Sequence, residues 1–151
     1  YGGGLQIALA ADLRFTTADA QWSVLEAKWG LVPDMSGIQA LSQQVRMDVA
    51  KRLTMTGEVV SGERAVELGL ATRVSDKPYE DAMALARDIA GKSPDAIRAG
   101  KRLLNDSGLL SLADGLRLEE EIQRTLMGSP NQMEAVQANF EKRAPRFRDP
   151  E

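Results

Sequence analysis

Helical periodicity dominates this sequence from Gly37 onward. Apolar side chains recur every three or four residues, which predicts seven amphipathic helices, at 38–44, 47–55, 61–68, 78–91, 94–105, 109–126 and 130–141. Only three short stretches have the character of strands, and they lie at 12–17, 21–25 and 70–75. So few strands do not make a self-sufficient sheet. We therefore expect a mostly helical α/β chain that is the later part of a larger domain, with a natural start at Tyr1 as the alternative.

Residue types that carry common chemistry are missing from this sequence. Its 151 residues include no histidine and no cysteine, which excludes a Ser-His-Asp triad, an imidazole or thiolate metal site and a disulfide from this segment. Proton transfer must then fall to carboxylates, lysine or tyrosine. The net charge of -3 argues against a nucleic-acid partner. No apolar run is long enough to span a membrane, and none resembles a signal peptide, so we expect a cytoplasmic protein.

Three consecutive glycines precede a helix-like stretch at 2–11, in YGGGLQIALAADLRF. Glycine is costly there because it loses the most backbone freedom on folding. The N–H groups in the first turn of a helix are free and carry a partial positive charge, which suits an oxyanion. The triplet therefore indicates either a close approach of backbone N–H groups to a negative group or tight packing where the helix begins.

Four separated stretches together resemble the crotonase, or enoyl-CoA hydratase/isomerase, superfamily. They are YGGGLQIALAADLRF, LEAKWGLVPDMSGIQAL, TMTGEVVSGERAVELGLATRV and FEKRAPRF, and they follow the order and spacing of that family across nearly the whole chain. The resemblance implies the later part of a spiral of ββα units at 1–76. It implies a C-terminal helical and oligomerisation region of the same domain at 77–151. The earlier part, with several contacts to CoA, would lie outside this sequence.

The resemblance further implies an enzyme that acts on acyl-CoA thioesters and needs no cofactor, since coenzyme A is part of the substrate. In the family, an N–H group at the start of the helix after the glycines is one of two donors to the thioester oxygen. The matching donor here is Gly3. One such preorganised donor contributes roughly 3–4 kcal/mol to lowering the barrier. Relatives form trimers or dimers of trimers, so self-association is also expected, and neither nucleic acid nor a membrane is expected as a partner.

Three positions bear on the reaction that the resemblance implies. Hydratases of the family carry two glutamates, and this sequence has Gln6 at the first position and Glu26 at the second. An amide does not act as a base, although it can hold water or substrate. Dienoyl-CoA isomerases of the family carry an aspartate at the position of Asp34, for which a helix N-cap is the alternative role. We therefore expect an isomerase with Glu26 as its acid–base, with a hydratase or a non-catalytic binding or assembly module as alternatives.

Three further residues are candidates for substrate binding. Trp22 and Trp29 could line an acyl pocket, although aromatic side chains on short strands more often belong to a core. Lys142 matches a C-terminal lysine that reaches the CoA phosphates from a neighbouring subunit in relatives, and an ordinary surface lysine is the alternative. The family commonly has an aromatic residue at the position of Asn139, and this sequence lacks the aromatic ring that would contact the adenine.

Overall fold

Eight α-helices, one 3₁₀-helix and four short strands make up residues 1–149, the part of the chain that the computed structural model describes. The α-helices are α1 Gly3–Leu9, α2 Gly37–Gln44, α3 Met47–Thr56, α4 Gly62–Leu68, α5 Pro78–Ala90, α6 Pro94–Ser107, α7 Leu112–Leu126 and α8 Pro130–Phe140. The 3₁₀-helix is Leu25–Trp29. The helices predicted from the periodicity are thus confirmed, and the largest difference at any end is the later start of α7.

The strands form two separate pairs. β1 (Phe15–Thr16) is parallel to β4 (Arg73–Val74), and β2 (Gln21–Trp22) is antiparallel to β3 (Val60–Ser61). The three predicted strand stretches are confirmed in place, but each is only two residues long. β3 was not predicted, because the two residues directly before a helix have no periodicity of their own.

The inward side of β1 is polar. Leu13, an apolar residue of the predicted strand stretch 12–17, is 46% exposed and lies before the strand begins. The buried residue of β1 is Thr16, whose hydroxyl oxygen accepts the indole N–H of Trp22 at 3.1 Å. A polar side chain takes the inner position because it has a hydrogen-bond partner there.

The hydrophobic core belongs to the first of two structural units, Tyr1–Met83. Helices α1 and α3 each turn one face inward, since their buried residues are spaced by four, as in the pair Leu5 and Leu9. The buried apolar residues of this core are Leu5, Leu9, Val24, Leu41, Val45, Val49, Ala50, Leu53, Val60, Ala65, Leu70 and Ala71. Packing of α1, α2 and the 3₁₀-helix around these residues fixes the backbone that carries the candidate site.

The second unit begins at Ala84 and buries little apolar surface within itself. Asn131 and Ala138 of α8 are the buried residues of this unit within the described chain. The Asn131 amide donates to the Asp95 carboxylate at 2.8 Å and exchanges two hydrogen bonds with the backbone of Arg148. These bonds hold the segment after α8 against its own unit. Residues 150 and 151, the end of the predicted helical region, lie outside the described residues.

A second set of polar contacts fixes the same C-terminal segment. The Glu134 carboxylate accepts hydrogen bonds from the Arg143 guanidinium, at 2.6 and 3.0 Å, and from the Arg146 N–H at 2.7 Å. The Arg143 hydrogen bonds, together with that N–H, lower the pKa of Glu134 to about 2. Within residues 1–149, no helix is both long enough and apolar enough to cross a membrane.

Candidate active site

Gln6 and Glu26 are in direct contact although 20 residues separate them in the sequence. The Gln6 Nε2 group donates a hydrogen bond to Glu26 Oε1 at 2.7 Å. Gln6 lies on α1 next to the core residue Leu5, and only 4% of it is exposed. Glu26 lies on the 3₁₀-helix Leu25–Trp29 and is half-buried. The structure therefore brings together two residues that the resemblance placed in one site.

The other end of the Gln6 amide is bound to the start of α2. Its Oε1 atom accepts the backbone N–H of Met35 at 2.8 Å and that of Gly37 at 3.1 Å. Two donors on one side define which end of the amide is the carbonyl, so the NH₂ group must face Glu26. One buried side chain thus connects α1, the 3₁₀-helix and α2.

The second carboxylate oxygen of Glu26 is free. Glu26 Oε2 is buried and has no hydrogen-bond partner among residues 1–149. Buried polar atoms are nearly always hydrogen-bonded, so an exception of this kind is unusual. Oε1 is hydrogen-bonded to Gln6, so Oε2 is the carboxylate oxygen without a bound donor in the described structure, and the role of Glu26 in proton transfer stays a prediction.

The glycines at the start of α1 lie beside this carboxylate. Gly2 has a φ of 53°, and a Cβ atom built on it would lie 3.5 Å from Glu26 Oε1. α1 begins at the next residue, and the Gly3 N–H in its first turn has no acceptor among the described residues. The first glycines thus lie close to Glu26 and leave the Gly3 N–H without an acceptor in the described residues, and its role as a donor to the thioester oxygen stays a prediction.

Asp34 is exposed and does not cap α2. The helix begins at Gly37, its N-cap residue is Ser36, and no side chain makes the capping hydrogen bond. The alternative of Asp34 as a helix N-cap is therefore wrong, because the residue lies too far before the first helical turn. Asp34 directly precedes Met35, whose N–H binds Gln6. Within residues 1–149, no hydrogen bond joins Asp34 to Glu26, and its catalytic role stays a prediction.

The three candidate substrate-binding residues lie in different settings. Trp22 packs against the core of the first unit, and its indole N–H binds Thr16, which supports the core interpretation. Trp29 is 70% exposed at the end of the 3₁₀-helix. Lys142 is an exposed residue of the second unit with a φ of 52°. Contact of these side chains with substrate stays a prediction.

Two parts of the site are not visible in the sequence, the backbone N–H groups of Met35 and Gly37. Backbone donors have no signature of their own in a sequence. The one available signal was a glutamine within the apolar run LQIAL, since a buried amide requires partners. No group of three or more histidine, cysteine, aspartate or glutamate side chains is placed to hold a metal ion within the described part of the chain.

Similarity to known proteins extends along almost the whole chain. The family described as "Enoyl-CoA hydratase/isomerase" matches residues 1–150. A mitochondrial methylglutaconyl-CoA hydratase from Mus musculus is 32% identical over 97% of this chain and 49% of its own length. A probable enoyl-CoA hydratase from Bacillus subtilis (strain 168) is 33% identical over 97% of this chain and 58% of its own. The chain spans about half the length of the curated relatives that it matches.

Solved structures show the same fold. A probable enoyl-CoA hydratase/isomerase from Mycobacterium abscessus superimposes with a TM-score of 0.93 and 32% identity, covering 99% of this chain and 62% of that one. An enoyl-CoA hydratase from Polaromonas sp. JS666 gives a TM-score of 0.91 with 28% identity, covering 97% of this chain and 58% of that one. The predicted α/β fold class is confirmed.

Proposed function

Because this chain belongs to the enoyl-CoA hydratase/isomerase family, whose crotonase fold it shares, we propose that the protein moves a double bond along the acyl chain of a CoA thioester. The superfamily identified from the sequence is confirmed. The observation that carries the isomerase proposal is the Gln6–Glu26 contact, in which an amide rather than a second carboxylate faces Glu26. The site then has one proton acceptor where a hydratase of the family has two.

The proposed reaction is proton removal followed by proton return. Glu26 Oε2 takes a proton from a carbon near the thioester, and the electron pair of that C–H bond moves toward the carbonyl oxygen. The Gly3 N–H then donates to the negatively charged oxygen, which lowers the barrier. In a 3-enoyl thioester the Glu26 carboxyl group returns the proton to another carbon, and in a conjugated 3,5-dienoyl thioester Asp34 shares this step. The double bond has then moved. No water is consumed, and coenzyme A serves only as part of the substrate.

The bonds of Gln6 support this proposal over water addition. Its carbonyl oxygen already accepts two backbone N–H groups, so it offers little to a substrate water molecule. One N–H of its amide donates a hydrogen bond to Glu26. Gln6 therefore orients Glu26, whereas a second carboxylate at this position would help to activate water.

A hydratase is the second candidate function. The names of the relatives favour it, because proteins 32–33% identical to this chain are called methylglutaconyl-CoA hydratase and probable enoyl-CoA hydratase. In that case Glu26 alone would activate the water that adds to the double bond. A non-catalytic acyl-CoA-binding or assembly module would show neither reaction.

Product analysis in heavy-oxygen water separates these functions. We expect the full-length protein to move the double bond of 3-enoyl and 3,5-dienoyl thioesters faster than it hydrates a 2-enoyl thioester. Gln6→Glu should raise hydration, because it supplies the second carboxylate. Mass spectrometry measures ¹⁸O in the 3-hydroxy product, and chromatography follows the position of the double bond.

Gln43→Glu is the matched control, because Gln43 is an exposed residue of α2 that undergoes the same change. It should leave the ratio of the two products unchanged. Rapid incorporation of solvent oxygen by the wild type, with no migration in either longer thioester, would show that the amide suffices for hydration and would reject the isomerase.

Asp34→Asn tests the second acid–base group. We expect it to slow migration in a 3,5-dienoyl thioester more than in a 3-enoyl thioester, because a conjugated system has a second carbon to protonate. Asp34 is exposed and makes no cap, so the free energy of unfolding should change by no more than about 0.5 kcal/mol. Steady-state kinetics and urea unfolding measure the two effects. Equal rates for wild type and variant on the dienoyl substrate would remove Asp34 from the mechanism.

Assembly and location belong to the same proposal. We infer a homotrimer or a dimer of trimers in the cytoplasm, with neither nucleic acid nor a membrane as a partner. Large apolar side chains exposed on α6 and α7, such as Leu104 at 77% and Leu112 at 81%, support a surface that another subunit covers. Trp22, Trp29 and Lys142 remain the proposed contacts to substrate.

A further inference from the structure

We propose that Gln6 is a positioning residue that fixes Glu26 relative to the start of α2, and that Gly37 is required because only a residue without a Cβ atom leaves room for the Gln6 amide. The inference rests on the proposed function in one respect, that Glu26 is the residue that exchanges protons. The hydrogen bonds and the packing are the same whether the reaction is migration or hydration.

The Gln6 amide has a single orientation that satisfies its partners. Its oxygen accepts two backbone N–H groups at 2.8 and 3.1 Å, and its nitrogen donates to Glu26 at 2.7 Å. Rotation of the amide by 180° would place its NH₂ group against the N–H donors of Met35 and Gly37. Those buried N–H donors would then have no acceptor, which is unfavourable, so the observed orientation is retained.

This orientation determines which oxygen of Glu26 is free. No other hydrogen bond to the Glu26 carboxylate is present within residues 1–149, so the bond from Gln6 is the polar contact that orients it. With Oε1 held by Gln6, Oε2 is the oxygen without a bound donor, and the proposed function assigns proton exchange to it. The position of the reactive oxygen therefore depends on the backbone at Met35 and Gly37, through Gln6.

Gly37 has no space for a side chain. A Cβ atom at this position would lie 2.7 Å from both Cγ and Oε1 of Gln6 and 2.9 Å from its Cδ, closer than real Cβ contacts. All three nearest atoms belong to Gln6, so the Gln6 side chain is the first group that an added methyl group would displace. By contrast, a Cβ atom at Gly4 or Gly100 would have no atom within 4 Å.

A double-mutant cycle tests the coupling. Gly37→Ala and Gln6→Ala are each expected to lower kcat by about 10- to 100-fold with KM within about threefold, because a reactive group displaced by about 1 Å loses rate rather than substrate binding. The double variant should be no slower than Gln6→Ala, since the atoms that the added methyl group would contact are then absent. Gly100→Ala is the control for the glycine change and should keep the wild-type kcat.

A second Gln6 variant and a crystal structure of Gly37→Ala complete the test. Gln6→Met retains the length of the side chain without its hydrogen bonds, so it replaces Gln6→Ala if that variant does not fold. A crystal structure of Gly37→Ala should show Gln6 Nε2 and Glu26 Oε1 farther apart than a hydrogen bond, beyond about 3.5 Å. This measurement remains valid if the wild type turns over no thioester, an outcome that rejects the proposed function alone. An intact Gln6–Glu26 bond in Gly37→Ala, or a folded Gln6→Met variant with wild-type kcat, would overturn the inference.

Discussion

Glu26→Gln is expected to lower kcat by about 10²–10⁴-fold while the protein still binds its acyl-CoA thioester. Glutamine keeps the length and polarity of the side chain, and its carbonyl oxygen can still accept the hydrogen bond that Gln6 now donates to Oε1. The NH₂ group would occupy the place of Oε2, which is buried and has no partner in the described part of the chain. The variant therefore loses the proton acceptor without losing the contact that orients the side chain.

Single-turnover and steady-state kinetics on the full-length protein measure this loss, and calorimetry with a non-reactive thioester analogue measures binding. Glu26→Asp is a useful second variant, because it retains a carboxylate but shortens the side chain by one methylene group. Glu63→Gln is the matched control, since Glu63 is an exposed residue of α4. Wild-type kcat in Glu26→Gln would exclude Glu26 as the acid–base group, whichever of the two reactions the protein catalyses.

Gly62→Ala is expected to destabilise the first unit by about 3 kcal/mol or more, at the upper end of the cost of overpacking. A Cβ atom on Gly62 would overlap the carbonyl oxygen of Thr17 and would lie 3.0 Å from the hydroxyl oxygen of Thr16. The Gly62 N–H also donates to the carbonyl oxygen of Ala18 at 3.0 Å. The backbone between β1 and β2 would have to move and lose this hydrogen bond, because a backbone atom cannot swing aside as a flexible side chain can.

Urea unfolding followed by tryptophan fluorescence measures this effect, since both tryptophans of the chain lie in the first unit. Gly4→Ala is the matched control within the same unit. It lies on α1 with open space at its Cβ position, so replacing glycine there should stabilise the helix by about 0.5–1 kcal/mol. Equal unfolding midpoints for wild type and Gly62→Ala would contradict the close packing between α4 and the segment before β2.

Helix positions were the most predictable part of the fold. Each helix repeats apolar residues along one face and has local signals at its ends, so neighbouring residues carry the information. In α4, the hydroxyl oxygen of Ser61 accepts the N–H of Arg64 at 3.2 Å, and Gly69 ends the helix with a φ of 87°. Such features depend on residues three or four apart, and they are visible in a sequence.

Details that depend on distant partners were predicted less well. The length of β1 depends on its pairing with β4, whose residues lie 58 positions later, so only Phe15 and Thr16 of the predicted stretch 12–17 form a strand. The N-cap considered as the alternative role of Asp34 is also wrong. The turn before α2 donates its Met35 and Gly37 N–H groups to Gln6, 29 and 31 residues away, and the helix begins only after Ser36. In both cases tertiary contacts override a local preference.

The sequence by itself determined the family, the helices and two residues of the candidate site, Gln6 and Glu26, that are in contact. Motifs in a fixed order carry that information without any knowledge of contacts. Only the tertiary structure decided how the two residues act together. The Gln6 amide is oriented by backbone N–H groups 29 and 31 residues away, and it leaves a single oxygen of Glu26 free. Backbone donors are common to every residue except proline, so no sequence pattern identifies the two that folding brings to Gln6.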